Sequence, residues 1–339
     1  MPGCNDTDSI CNNTKFKNAE TMFKSSPLIM RLLSHSVKVS ETAGRIIRHV
    51  LLGGDLGIVE KGKDNIQTVA DRSAQHCIIG SIQKKFSDVN LTVIGEESYQ
   101  TSDLETASVE LDFDPVVLDQ VCPSQWRDVS QDQITIWVDP LDGTSEFSQS
   151  LKQGSEELRE HVTVLIGIAV GSVPVAGVIH QPFYNRDSQR EPGRTIWGLV
   201  GLGAFGAELI KPPEGKHIIT TTRSHSSQAV EETIKVMEPS EIKRVGGAGN
   251  KVMLVIEGQA HAYVFASPGC KKWDTCAPEA VLRSCGGTLS DMLGNNLQYH
   301  KSVEHRNSFG VLATSRSVSH QWYLDRVSEN VKNELINNR

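Results

Sequence analysis

The chain has 339 residues, with 34 Lys and Arg against 41 Asp and Glu, so its formal charge is −7; 38% of residues are hydrophobic and 22% charged. These proportions belong to a folded globular protein, exclude a fibrous or low-complexity chain, and leave no basic surface for sequence-independent nucleic-acid binding. The seven cysteines (Cys4, Cys11, Cys77, Cys122, Cys270, Cys276 and Cys285) form no C-x-x-C pair. They therefore outline neither a zinc site nor a disulfide framework, and a reducing, cytoplasmic compartment is expected.

Met1 to Ser25 is polar, lacks the apolar stretch of a signal peptide, and reads as a disordered extension. The first helix begins at Ser26-Pro27, a good N-cap followed by a residue favoured in the first turn. Its apolar positions run from Leu28 to Val50 at helical spacing, and Gly53-Gly54 ends it. A second helix is expected over Val69–Phe86, followed by strands at Leu91–Ile94 and Ile134–Val138, with an acidic, irregular excursion from Tyr99 to Asp132 between them. Val162 to Ile179 carries no charge, yet Gly171-Ser172 and Pro174 interrupt it. It reads as two buried strands joined by a tight turn rather than a membrane span.

A strand at Thr195–Val200 and the Pro212-Pro213 break follow. Beyond it come a strand at His217–Thr222, helices near Gln228–Met237 and Asn250–Glu257, a strand at Ala262–Phe265, a helix near Thr275–Arg283, a strand at Gly310–Thr314 and a terminal helix over Ser319–Leu335. The expected organisation is a 1–25 extension, a 26–213 metal-binding α+β domain and a 214–339 α/β substrate domain.

Gly201-x-Gly203-x-x-Gly206 matches a dinucleotide fingerprint on paper, but it runs into Pro212-Pro213 rather than opening a helix, and so reads as a glycine-rich strand or turn. The informative run is Ile134-Thr-Ile-Trp-Val-Asp139-Pro140-Leu141-Asp142-Gly143-Thr144. A strand there delivers two carboxylates three residues apart, then a turn with a hydroxyl. Converging carboxylates repel unless a cation lies between them, and hard oxygens suit Mg²⁺. Taken alone, Asp-Pro and Asp-Gly make an ordinary surface turn, Glu96 and Glu97 are solvated acids, and Asp274 is a helix cap.

Taken together, Gly95-Glu96-Glu97, Asp139-Pro-Leu-Asp-Gly-Thr144 and Trp273-Asp274-x-x-Ala277 resemble the sugar-phosphatase superfamily of Mg²⁺-dependent, lithium-sensitive phosphomonoesterases, which includes the inositol monophosphatases and the fructose-1,6-bisphosphatase-like enzymes. The likeness runs from about Leu28 to Leu335 and leaves out an enlarged loop around Ser148–Glu160. It implies an αβαβα sandwich: a larger, mainly antiparallel sheet and a smaller mixed one, with helices between and outside.

The resemblance also implies a site and an activity. Two or three Mg²⁺ ions would be held by Glu96, Asp139, Asp142, Asp274 and the Leu141 carbonyl. Gly143 and Thr144 would meet the phosphate, and Thr222, His225, Gly247 and Lys251 would line the rest of the pocket. The runs Gly54–Lys61, Gly193–Gly206, Lys216–Ser226, Arg244–Lys251 and Ala262–Pro278 are most similar to superfamily members that act on phosphorylated nucleotides. The implied reaction is therefore removal of the 3′(2′)-phosphate of adenosine 3′,5′-bisphosphate to give AMP by a monomer. Hydrolysis of inositol polyphosphates at the 1-phosphate is the alternative.

One departure bears on catalysis. Aligning Ile66-Gln67-Thr68 and Asp71 with the superfamily segment puts Asn65 where the resemblance implies the Asp that partners the motif Thr in activating water, with Asp64 just before it. An amide takes no proton near neutral pH. Either Asp64 assumes the role, through a local backbone change, or the chain is a weak catalyst that mainly binds nucleotide. Retained activity is the expectation, because the other positions match.

Overall fold

The computed structural model describes residues 19–62, 65–105, 107–184, 191–224 and 226–337. The side chains at 61, 62 and 65 also lie outside the description. The helices in chain order are α1 (19–25), α2 (Leu28–Gly53), α3 (Val69–Lys85), α4 (Thr101–Glu105), α5 (Pro115–Leu118), α6 (Thr144–Gln153), α7 (Glu156–Glu160), α8 (Gln228–Val236), α9 (Ala248–Ile256), α10 (Lys272–Ser284), α11 (His320–Leu324) and α12 (Glu329–Asn337).

A short hairpin pairs β1 (Val59–Gly62) with β2 (Asn65–Gln67). The larger sheet has six strands in sequential order: β3 (Thr92–Gly95), β4 (Ile134–Asp142), β5 (Thr163–Val170), β6 (Val173–Gln181), β7 (Arg194–Leu199) and β8 (Gly203–Phe205). Only the β3–β4 pairing is parallel. The smaller sheet is mixed: β10 (Glu241–Val245) and β11 (Ala262–Phe265) flank β9 (Ile218–Thr222) in parallel, and β13 (Val311–Thr314) and β12 (Thr288–Ser290) add antiparallel strands.

The helices α2 and α3 cover one face of the six-stranded sheet around Ile29, Leu33, Ile78, Ile136 and Ile166. Between the sheets lie α9 and α10, in a second core that joins Trp137 and Leu165 to Val252, Val264 and Val281, while α8 lies outside against β11. This is the expected layered sandwich. Close packing of helix on sheet is made by Gly167, Gly177 and Gly198, register partners across β5, β6 and β7. A Cβ on Gly167 would come within 2.6 Å of the Ala277 nitrogen, and one on Gly177 within 2.4 Å of the Ala277 oxygen. Without side chains the three strands form a groove in which α10 sits directly on the backbone, and this brings its N-terminus to the end of β4.

The apolar run Val162–Ile179 is indeed a hairpin, β5 turning into β6, and no described helix is long and apolar enough to cross a membrane. Two expectations need correction, and one strand was not expected at all. Residues 19–25 are helical rather than disordered, because Phe23 is buried and stacks on Phe113 at 4.7 Å between ring centroids; residues 1–18 lie outside the description. The expected terminal helix is two, since Ser328 caps a new start by accepting the Val331 N–H at 3.3 Å. The strand β10 carried no sequence signal because, as an edge strand rich in Glu, Lys and Arg, it lacks the alternation that marks a half-buried strand.

Candidate active site

The DPLDGT run continues β4 as far as Asp142. Residues three apart on a regular strand point to opposite faces. Here the ladder shifts: Asp139 pairs with Leu165, whereas Asp142 pairs with Thr163, so three steps on β4 match two on β5. Such a bulge rotates the chain, and Pro140, which has no N–H to give a ladder, sits inside it. The two carboxylates therefore converge. Ligand oxygens of Asp139, Asp142 and Asp274 all lie within 4.8 Å of one another.

Each of the three is held by backbone donors. Asp139 Oδ1 accepts the Leu141 N–H at 3.0 Å. Asp142 accepts the N–H groups of Ala248 and Gly249, both at 2.8 Å, and the Thr163 hydroxyl at 2.7 Å, so it caps the N-terminus of α9 from another layer. Asp274, the third residue of α10, accepts the Lys271 N–H at 2.5 Å. Glu96 leaves the end of β3 with its N–H on the Val138 carbonyl and its charge directed at Asp139. Burial, and after it the charges of Glu96, Asp274 and Asp142, push the Asp139 carboxyl well above its ordinary range; burial and Asp142 push Asp274 to about 6. Packed hard oxygens that resist ionising beside one another are a donor set suited to a divalent cation.

Thr144 opens α6 behind Gly143, whose φ of 91° turns the strand into the helix. Its hydroxyl lies 3.0 Å from Asp71 Oδ1 and 3.0 Å from the Leu141 carbonyl. Asp71 is fully buried. Its other oxygen closes a capping box on α3, accepting the Thr68 N–H at 2.8 Å and the Thr68 hydroxyl at 2.5 Å. Burial lifts the Asp71 carboxyl to about 6.

Among the described residues, the carboxylate on the motif threonine is Asp71. Asp64 and the Asn65 side chain, on which the sequence expectation fell, lie outside the described residues. The sequence did carry a signal, since Thr68-x-x-Asp71 before an apolar run is a capping-box pattern.

A cavity of about 340 Å³ opens over these groups. Glu96, Asp142, Gly143, Thr144, Thr222, Gly247, Lys251 and Asp274 line it, as expected, while Asp139 and Leu141 lie buried behind its floor. His225 lies outside the described residues. Lys251 is buried on α9, with its ammonium 5.4 Å from the Tyr263 ring centroid. Glu146 and Cys270, neither predicted, also border the cavity. Arg223 holds Glu146 at 3.4 Å, and the Cys270 thiol lies 3.7 Å from the Tyr263 hydroxyl.

Acidic strand and helix ends that meet under a cleft, between the layers of such a sandwich, define a metal-dependent phosphatase. The comparisons agree: the chain belongs to the inositol monophosphatase family, which it matches over residues 29–332. It is 49% identical over 318 residues to human "3'(2'),5'-bisphosphate nucleotidase 1", covering 93% of this chain and 100% of the human one. The protein of the same name from Dictyostelium discoideum is 37% identical over 317 residues, covering 90% and 98%. Among solved structures, the extragenic suppressor protein suhB from Bartonella henselae superposes with a TM-score of 0.62 at 19% identity, covering 88% and 98%, and supports the fold.

Proposed function

We propose that this phosphatase removes the 3′(2′)-phosphate of adenosine 3′,5′-bisphosphate to give AMP and phosphate, that it requires Mg²⁺, and that Li⁺ inhibits it. The observation that carries the reading is 49% identity, over the full length of the human chain, to a protein named for that substrate class. The cavity is compatible with it: about 340 Å³ is within the range of small-ligand sites, and Lys251 adds a cation to its wall.

In this reading Glu96, Asp139, Asp142, Asp274 and the Leu141 carbonyl hold the ions. When bound, Mg²⁺ supplies Lewis-acid polarisation of the phosphoryl group and neutralises charge on the attacking and leaving oxygens. The chain's own part is to place and deprotonate the water. Thr144 Oγ1 donates to Asp71 Oδ1, which leaves a lone pair to accept the proton of a water in line with the phosphorus. The proton passes to Thr144 while the Thr144 proton passes to Asp71, a carboxyl lifted to about 6 and so well matched to accept it near neutral pH. A bond forms from water oxygen to phosphorus and the bond to the 3′-oxygen breaks; the leaving oxygen takes a proton from solvent, Asp71 later returns its own to solvent, and no phosphoenzyme is formed. The N-terminus of α9 and Lys251 face the nucleotide's remaining phosphate, offsetting the net negative charge of the protein.

A second reading is an inositol polyphosphate 1-phosphatase; the family whose model matches is named for inositol monophosphatase. Phosphate release from adenosine 3′,5′-bisphosphate and from inositol 1,4-bisphosphate, each with and without Mg²⁺ and Li⁺, separates the two. Faster turnover of the inositol substrate overturns the nucleotide reading.

A further inference from the structure

The segment 305–307 lies outside the cavity wall, yet it is stapled to the turn that delivers Asp274. The Lys272 N–H donates to the His305 carbonyl at 2.8 Å, the Asn307 N–H donates to the Cys270 carbonyl at 2.8 Å, and Lys271 bridges to Arg306. The Asn307 side chain, 2% exposed, completes the arrangement. Its amide has two protons and one acceptor oxygen, and all are used. One proton goes to the Lys271 carbonyl at 3.0 Å, the other to Thr275 Oγ1 at 3.1 Å, and the oxygen accepts from the buried Lys272 ammonium.

Lys271 is thus held through both of its peptide groups. The group that joins it to Cys270 is held at its carbonyl by the Asn307 N–H and gives its own N–H to Asp274; the next carbonyl, that of Lys271, accepts the Asn307 side chain at 3.0 Å and Thr275 Oγ1 at 3.2 Å. The residues it joins are far apart in sequence and near only in the fold, and Asn307 touches neither the cavity nor a carboxylate. We propose that Asn307 is a positioning residue for the cation site: by holding the peptide groups on both sides of Lys271, one with its N–H and the other with its side chain, it sets the N–H that orients Asp274 within the acidic cluster. The proposal rests on the reading that Asp274 holds a cation. Outer hydrogen-bond partners of metal ligands set ligand orientation, and their loss typically costs about 10–100-fold in metal affinity.

The test is calorimetric titration of the metal-free, full-length protein with Mn²⁺, alongside thermal unfolding of each variant. Asn307→Asp keeps the size and an oxygen for Lys272 but replaces the donor facing the Lys271 carbonyl with an acceptor. Asn307→Ala removes all three bonds. Both are expected to raise the Mn²⁺ dissociation constant by about 10–100-fold, and excess metal restores most of kcat, whereas Tyr299→Phe, which removes a buried hydrogen bond to Glu279 on the same helix and leaves Lys271 untouched, binds as wild type. Wild-type Mn²⁺ affinity in a folded Asn307→Asp protein overturns the proposal, and so does equal weakening in Tyr299→Phe. Asp274→Asn separates the two levels of argument. If it loses Mn²⁺ while Asn307→Asp does not, only the positioning role fails; if it binds Mn²⁺ as wild type, the cation site fails with it.

Discussion

The two sheets contribute to the site in different ways. The six-stranded sheet supplies reactive groups from a strand exit: Asp139 and Asp142 are turned to one side by a bulge, and Thr144 follows them and is held by Asp71 from α3. The five-stranded half supplies helix starts: α9 offers the N–H groups of Ala248 and Gly249, and α10 offers Asp274 in its first turn. Asp142 belongs to both, since its chain is β4 and its hydrogen bonds come mostly from α9. Neither half builds the cluster alone. The half that bends a strand gains convergence, and the half that points helix N-termini gains the positive ends that hold carboxylates together.

If Asp142 joins the halves, Asp142→Ala has the largest effect. In the Mg²⁺-saturated protein, phosphate release falls on the order of 10³-fold, as several kcal/mol of transition-state stabilisation vanish. The melting temperature drops as well, because two buried N–H groups and a hydroxyl lose their acceptor, each such loss costing about 1–3 kcal/mol. A variant as stable as wild type would show that the α9 contact is incidental.

Asp71→Asn comes next and tests the first half by itself. It lowers kcat by about 10²–10⁴-fold, and because Asn offers one acceptor oxygen where Asp71 uses two, it also costs about 1–3 kcal/mol of stability. Because the working form of Asp71 is ionised and burial lifts it to about 6, wild-type kcat falls as pH drops through about 6, and the variant lacks that limb. A pH–rate profile unchanged in shape would remove Asp71 from proton transfer.

Glu279 tests the second half away from the cavity. It is buried on α10, accepts the Tyr299 hydroxyl at 2.6 Å, and is pushed by burial from 4.5 to about 7. A folded pKa above the unfolded one means that the native state holds the extra proton. The stability this contributes is complete below about 4.5 and is lost as pH rises through about 7. Glu279→Gln therefore melts like wild type at pH 4.5 and is the more stable at pH 8, by on the order of 2 kcal/mol. A constant difference across that range would refute the linkage. The smallest effect is that of Thr163→Val, which removes one of the bonds to Asp142 and costs about 1 kcal/mol, with a severalfold loss of activity.

Much of this site could be read from residue order. The apolar stretch before Asp139 implies a strand, the acids after it imply a cation, and the three acidic segments together carry the family likeness. The contact of Asp71 was not legible because the linear pattern offers two acids and an amide within eight residues, and it is the fold that brings Asp71 to Thr144 Oγ1. Asn307 was invisible for the same reason: its partners lie more than thirty residues earlier, and a lone Asn has no periodicity. The end of the long terminal pattern and the edge strand β10 escaped because capping at Ser328 and a charged sheet edge leave no hydrophobic period.

By itself, then, the sequence determined the kinds of element and the chemical types of ligand, because hydrophobic period, capping residues and acid identity are local properties. Which acids meet, which carboxylate accepts the Thr144 hydroxyl and which donor holds Asp274 were decided by tertiary structure. A glycine groove that lets α10 lie on the sheet, and a bulge that turns β4, act across distances along the chain that no local pattern encodes.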